Sequence, residues 1–205
     1  RSTYFLSRLP GRTGLYLGLT AARIGGADAL HLGLATHYVP SDRMAALDTA
    51  LREGDYSASA HAAVGRILDG FAEDPGLAPI VENLEAIDRC FGGETVEQVI
   101  AKLQAEGTPW AEETLAALAE KSPTSLKVTF RQLTTLGDLD LEDALKMEYR
   151  MAIRCNFGPE LFEGIRAVVI DKDRSPKWQP ASVAEVSDDL VAEHFAVPAT
   201  GDMTF

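Results

Sequence analysis

Four cations crowd one short stretch of an otherwise acidic chain: Arg166, Lys172, Arg174 and Lys177, with Asp171 and Asp173 interleaved. Arginine offers a planar fork of donors and lysine a compact point charge, the two groups with which proteins hold phosphate. The same residues have a plainer explanation. Cations near a helix C-terminus complement its dipole, and exposed pairs with the aspartates contribute little. Composition alone favours that second reading. Arg166, placed in the middle of a predicted helix, is the cation best suited to a structural ion pair. Trp178, just beyond the cluster, carries an indole N–H that wants a partner at a half-exposed edge, which suits a lid contact.

Other residue types that could do chemistry are poorly arranged for it. His31, His37, His61 and His194 show no metal-ligand spacing, and the first two read as satisfied structural histidines. Glu112-Glu113 and Asp188-Asp189 read as solvated helix starts, not paired catalytic acids. Ser2, Ser7 and Ser41 lack the G-x-S-x-G surroundings of an activated serine. Gly25-Gly26 and Gly92-Gly93 lack the pattern of a phosphate-binding loop. Cys90 and Cys155 sit far apart in apolar helical patterns and read as two buried free thiols. The aromatics Phe130, Tyr149, Phe157 and Phe162 fall at helical positions and read as core.

The elements that must position the cation cluster are almost all helical. Pro10-Gly11 marks a turn before an apolar repeat of Leu15, Leu19 and Ala22. Ala27 to Leu32 forms a short helix stopped at Gly33. Ala35 to Val39 carries Thr, Tyr and Val, ends at Pro40 and predicts one short strand, with Ser41 capping the helix after it. Helices then follow over Ala62 to Phe71 and Ile80 to Phe91. A capping box of Thr95 and Gln98 opens a helix closed by Gly107, and Pro109 starts the next. Ser122-Pro123 starts a helix running to a stop at Gly137, and Asp140 caps a longer one through Cys155. Pro159-Glu160 opens the helix that runs into the cations, and a last helix is expected near Val183 to Phe195.

The chain has 205 residues, 46% hydrophobic and 24% charged, and 19 basic against 31 acidic residues give a net charge of −12. That charge repels nucleic acid and anionic lipid at long range, so neither is an expected partner. No apolar run reaches the roughly 18 residues of a transmembrane helix, and no secretory signal pattern is visible.

Several blocks carry a family resemblance. Leu6-Ser7-Arg8-Leu9-Pro10-Gly11, Leu19 to Ile24, and Ala27 through Gly33-Leu34 to Val39-Pro40 resemble the crotonase (enoyl-CoA hydratase/isomerase) superfamily. Ser122 to Lys127, Met147-Glu148-Tyr149-Arg150 and Phe162 to Trp178 are similar to its 3-hydroxyisobutyryl-CoA hydrolase branch. The resemblance implies an α/β crotonase-like (ClpP/crotonase) fold, of which this chain is the mostly α-helical C-terminal part with one short strand. Residues 1–54 are then expected to finish the core, and 55–205 to form a helical region over the active site.

The implied partners are an acyl-CoA substrate, the missing N-terminal half of the same protein, and a second copy in a homo-oligomer. The catalytic carboxylates of the family pattern, a Glu and then an Asp followed by Val and Gly, match no acid here and are expected upstream of Arg1. The resemblance implies no metal or redox cofactor, and CoA counts as part of the substrate. The implied location is the cytoplasm, or the mitochondrial matrix of a eukaryote. Related members set a C-terminal cation against CoA, which makes Lys172 the first candidate for substrate binding and Arg166 and Trp178 the others.

Overall fold

The computed structural model describes residues 2–135 and 139–205, so the helix stop expected at Gly137 lies outside the described residues. The chain divides into two compact units, one of residues up to Ala22 together with Asn83–Phe205, the other Arg23–Glu82.

The larger unit is built on α2 (Thr13–Thr20), which is lined by buried Leu15, Leu17 and Leu19. Around it stand α6 (Leu84–Phe91), α8 (Pro109–Ala119) and α9 (Pro123–Thr135), with α1 (Ser2–Leu6) ahead of them in the chain, and α7 (Val96–Glu106) packs on α6, α8 and α9. Burial follows the helical period: Ile87, Cys90 and Phe91 on α6 and Val96, Val99 and Leu103 on α7 are each at most 1% exposed. The Tyr16 ring meets Phe91 edge-on, with ring centres 5.4 Å apart. A second apolar cluster joins Val128 of α9 to Val186 and to Val191 of α12 (Asp188–Glu193).

The sequence caps act as read. Thr95 accepts a hydrogen bond from the Gln98 N–H at 3.2 Å, and Asp140 accepts one from the Asp143 N–H at 2.8 Å, opening α10 (Leu141–Phe157). Gly107 ends α7 with φ 60°, a conformation that costs glycine nothing.

Three polar side chains, two of them buried, tie α1 to α9 and α10. Glu148 Oε1 accepts from both the Thr3 N–H and the Thr3 hydroxyl, each at 2.8 Å, and Gln132 Nε2 donates to the same hydroxyl oxygen. Thr3 is 1% and Gln132 7% exposed, so these bonds replace solvation that the groups have lost.

The smaller unit contains α3 (Gly26–His31), α4 (Met44–Glu53) and α5 (Ala60–Phe71). Buried Asp28 holds it from inside: one carboxylate oxygen accepts from the Gly25 N–H at 3.0 Å and the other from the Ile80 N–H at 2.9 Å. The strand expected over residues 35–39 is absent, and no strand occurs among the described residues. A strand needs a neighbour to complete its ladder. Here the Tyr38 carbonyl accepts one bond, from the Glu73 N–H at 2.9 Å. Ser41 opens a 3-10 turn ahead of α4 in place of capping an α-helix directly. His37 is satisfied, by Thr36 Oγ1 at 2.9 Å and Asp69 at 3.0 Å, whereas His31 is exposed.

Two more expectations change. Cys90 is buried, but Cys155 is exposed. Phe157 and Phe162 are not core; they are 80% and 63% exposed, and Val168, Val169 and Ile170 are exposed as well.

Candidate functional site

The cation cluster stands where a helix ends irregularly. Pro159 supplies the first residue of α11 (Pro159–Ile165), and the chain then continues as a π-turn over Arg166–Ile170, in which the Asp171 N–H donates to the Arg166 carbonyl at 2.8 Å. Such a turn admits one extra residue per bonded ring and is often found beside functional sites. Beyond it, Lys172 and Arg174 take left-handed φ values of 56° and 53°. Side chains there crowd the following carbonyl, so the turn must be held from outside.

Arg166 holds it. Its Nε and Nη2 donate to the two carboxylate oxygens of Glu163, at 2.9 and 2.8 Å. Nη1 donates to Asp171 and to Asp173, each at 2.7 Å, and Nη2 also reaches the Ser175 carbonyl at 3.1 Å. A guanidinium has five N–H donors, and all five are engaged here. Glu163 in turn accepts from the Lys177 N–H at 2.6 Å, Asp173 accepts from the Ser175 N–H at 2.9 Å, and the Arg174 N–H donates to the Ala167 carbonyl at 3.0 Å.

The electrostatics follow from these bonds. The hydrogen bonds from Arg166, then that from the Lys177 N–H, hold Glu163 down at about 2. Arg166, with the Ser175 N–H, also lowers Asp173, and the three acids raise Arg166 in return.

This arrangement sorts the cluster's charges. The acids interleaved with the cations turn inward on Arg166, while the side chains of Lys172 and Arg174 are exposed and make no ion pair or hydrogen bond among the described residues. Of the residues singled out in the sequence, Arg166 and Lys172 therefore share one segment but differ in kind: one has every donor occupied, the other has a free ammonium.

Trp178 lies at the far end of the segment. Its indole N–H donates to the Glu120 carbonyl at 3.3 Å, and its ring lies so close to Gly164 that a Cβ there would meet it at 3.3 Å. The same ring borders a pocket of about 460 Å³ with apolar walls from Leu161, Ile165 and Leu190.

The floor of that pocket is polar. Glu160 Oε2 accepts from the Ser122 hydroxyl at 2.7 Å, and His194, 9% exposed, lies with its Nδ1 2.9 Å from the Leu190 carbonyl. Burial raises the Glu160 pKa, and the Ser122 and Thr124 hydroxyls and nearby His194 offset that only in part. Sequence reading missed this group. Glu160 looked like an ordinary acid in a first helical turn, and nothing in its spacing pointed to Ser122 or His194.

The chain belongs to the enoyl-CoA hydratase/isomerase family, whose sequence model matches residues 2–195. It is similar to a mitochondrial 3-hydroxyisobutyryl-CoA hydrolase of Danio rerio, 40% identical over 94% of this chain and 51% of that protein. It is 37% identical to the Homo sapiens protein of the same name, over 98% of this chain and 53% of that one. Among solved structures, a carnitinyl-CoA dehydratase from Mycobacterium thermoresistibile superposes with a TM-score of 0.86 at 37% identity, covering 98% of this chain and 56% of that one. An enoyl-CoA hydratase from Rhodobacter sphaeroides gives 0.85 at 35% identity, over 100% of this chain and 57% of that one. The fold is thus crotonase-like, and the chain spans about half the length of the curated relatives it matches. No described helix is long and apolar enough to cross a membrane.

Proposed function

We propose that this chain is the C-terminal half of an acyl-CoA thioester hydrolase whose substrate is 3-hydroxyisobutyryl-CoA, cleaved to 3-hydroxyisobutyrate and CoA. The observation that carries the reading is the 37–40% identity, over nearly the whole chain, to relatives bearing that activity in their names. Thioester hydrolysis builds negative charge on the carbonyl oxygen. Two preorganised N–H groups aimed at it contribute roughly 3–4 kcal/mol each, and a carboxylate either activates water or attacks the carbonyl. In this reading those groups come from the part of the protein that precedes Arg1. Residues 1–54 complete the core, and residues 55–205 cover the pocket. The chemistry needs no metal or redox cofactor.

The present residues then serve the CoA end of the substrate. Lys172, with Arg174 beside it, meets phosphate; Arg166 holds the segment that presents them; Trp178 closes its edge. The exposed surface of Phe157, Phe162, Val168 and Ile170 suits packing against the preceding half or a second copy of the chain.

The test is release of free CoA thiol from 3-hydroxyisobutyryl-CoA by the complete protein, beside hydration of crotonyl-CoA. Thiol release without hydration supports the reading. Hydration without thiol release would establish the other reaction of the family, which the solved hydratase and dehydratase neighbours favour. The 205-residue chain alone is expected to be inactive, and turnover by it would refute the assignment of the carboxylates to the preceding half.

A further inference from the structure

A helix of five residues is too short to hold itself, so α1 keeps its place through bonds to the rest of the protein. The first N–H groups of any helix lack an acceptor within it. In α1 the Thr3 N–H finds one on Glu148 Oε1, 145 residues away in the chain, at 2.8 Å. The Thr3 hydroxyl donates to the same oxygen at 2.8 Å and accepts from Gln132 Nε2. One carboxylate from α10 and one amide from α9 thus fix both the backbone and the side chain of Thr3, which is 1% exposed.

The other end of α1 is pinned separately. The Leu6 carbonyl lies so close to Gly14 of α2 that a Cβ there has no room. Just beyond the helix, Arg8 donates to the Tyr4 carbonyl at 3.0 Å and to the Leu139 carbonyl, ahead of α10, at 2.8 Å. These contacts set where α1 ends, and a helix pinned at one end can still pivot. Glu148 and Gln132 remove that freedom at its beginning.

Resting on the hydrolase reading above, in which the acting carboxylates precede Arg1, we propose that Glu148 and Gln132 are positioning residues for thioester hydrolysis. They hold the first turn of α1, and through it the chain that leads in from the carboxylates. A residue spans at most about 3.3–3.6 Å of chain, so a shift at Thr3 is passed to the residues just ahead of it. A misplacement of about 1 Å at the reacting groups costs about 100-fold in rate. Neither residue belongs to the segment proposed to meet CoA, so substrate binding is spared.

Steady-state release of CoA thiol from 3-hydroxyisobutyryl-CoA by the complete protein tests this role. Glu148→Leu, which removes the acceptor, should lower kcat about 100-fold with KM within about twofold. Glu148→Gln keeps an oxygen acceptor and should restore kcat to within about threefold of the wild type. Gln132→Met removes the donor alone and should lower kcat about tenfold at unchanged KM; it carries the test where Glu148→Leu does not fold. Ile87→Val, a fully buried change on α6, should lower Tm and leave kcat unchanged, which tells positioning from general softening. A wild type without thiol release overturns the hydrolase reading and this role with it. With an active wild type, the role alone is overturned by any of four results: kcat retained in Glu148→Leu and Gln132→Met, a rise in KM matching the fall in kcat, Glu148→Gln as slow as Glu148→Leu, or an equal fall in Ile87→Val.

Discussion

Replacing Thr3 by Val tests the tie between α1 and the helices behind it. The substitution keeps the side-chain shape and removes the hydroxyl. That hydroxyl donates to Glu148 Oε1 at 2.8 Å and accepts from Gln132 Nε2, in a position 1% exposed. A hydrogen bond to a charged group contributes about 1.5–3 kcal/mol, and an unsatisfied buried N–H costs about 1–3 kcal/mol. The two overlap, and Glu148 keeps its bond from the Thr3 N–H, so the expected loss is about 2–4 kcal/mol. Urea denaturation monitored by circular dichroism measures it directly. Thr3→Ser keeps the hydroxyl and should lose only about 1 kcal/mol for the buried methyl. The double variant Thr3→Val with Gln132→Leu should recover part of the loss, since the stranded donor is gone. A loss below about 0.5 kcal/mol for Thr3→Val would show that the network contributes nothing net, and the argument from burial would fail. In the complete enzyme, where the proposed carboxylates precede α1, the same substitution is expected to lower kcat.

Lys172→Ala in the complete enzyme should raise KM for the acyl-CoA more than it lowers kcat, as loss of a ground-state phosphate contact does; an unchanged KM would remove Lys172 from the site. Arg166→Gln should speed amide hydrogen exchange over residues 171–177, and unaltered protection would show that the segment holds itself. Glu163 has a folded pKa depressed to about 2 from an ordinary 4.5, so its contribution is present above that ordinary value and is lost as pH falls through about 2; a carboxyl titration by NMR with a midpoint near 4.5 would contradict the Arg166 geometry. Phe91→Ala, at a position with no exposure and under the Tyr16 ring, should cost about 3–5 kcal/mol in denaturation, and a much smaller loss would mean that the core collapses to fill the gap.

Much of the helical architecture was legible because its signals are local. Thr95, Asp140 and Gly107 announce their roles through residue type and neighbours within four positions. The strand at 35–39 was misread because β-propensity describes a side chain's fit to a sheet and says nothing of whether a sheet is there. Phe157 and Phe162 were read as core from their period, yet a period identifies an apolar face without identifying what covers it. The cation cluster was visible, but its internal order was not. A helical wheel through 162–173 assumes constant pitch, and the π-turn at Arg166–Ile170 adds a residue and redirects everything after it. The links from Thr3 to Glu148 and from Glu160 to Ser122 span 145 and 38 residues, beyond the reach of any spacing rule.

The left-handed backbone at Lys172 and Arg174 sets two demands against each other. Glycine at either position would relieve roughly 1–2 kcal/mol of crowding, and each such exchange would also erase a positive charge from the exposed rim. Drift toward a more comfortable chain therefore runs toward a blunter surface. Selection for thermal robustness alone should discard these residues, and only a counter-pressure from something negatively charged in the surroundings would retain them.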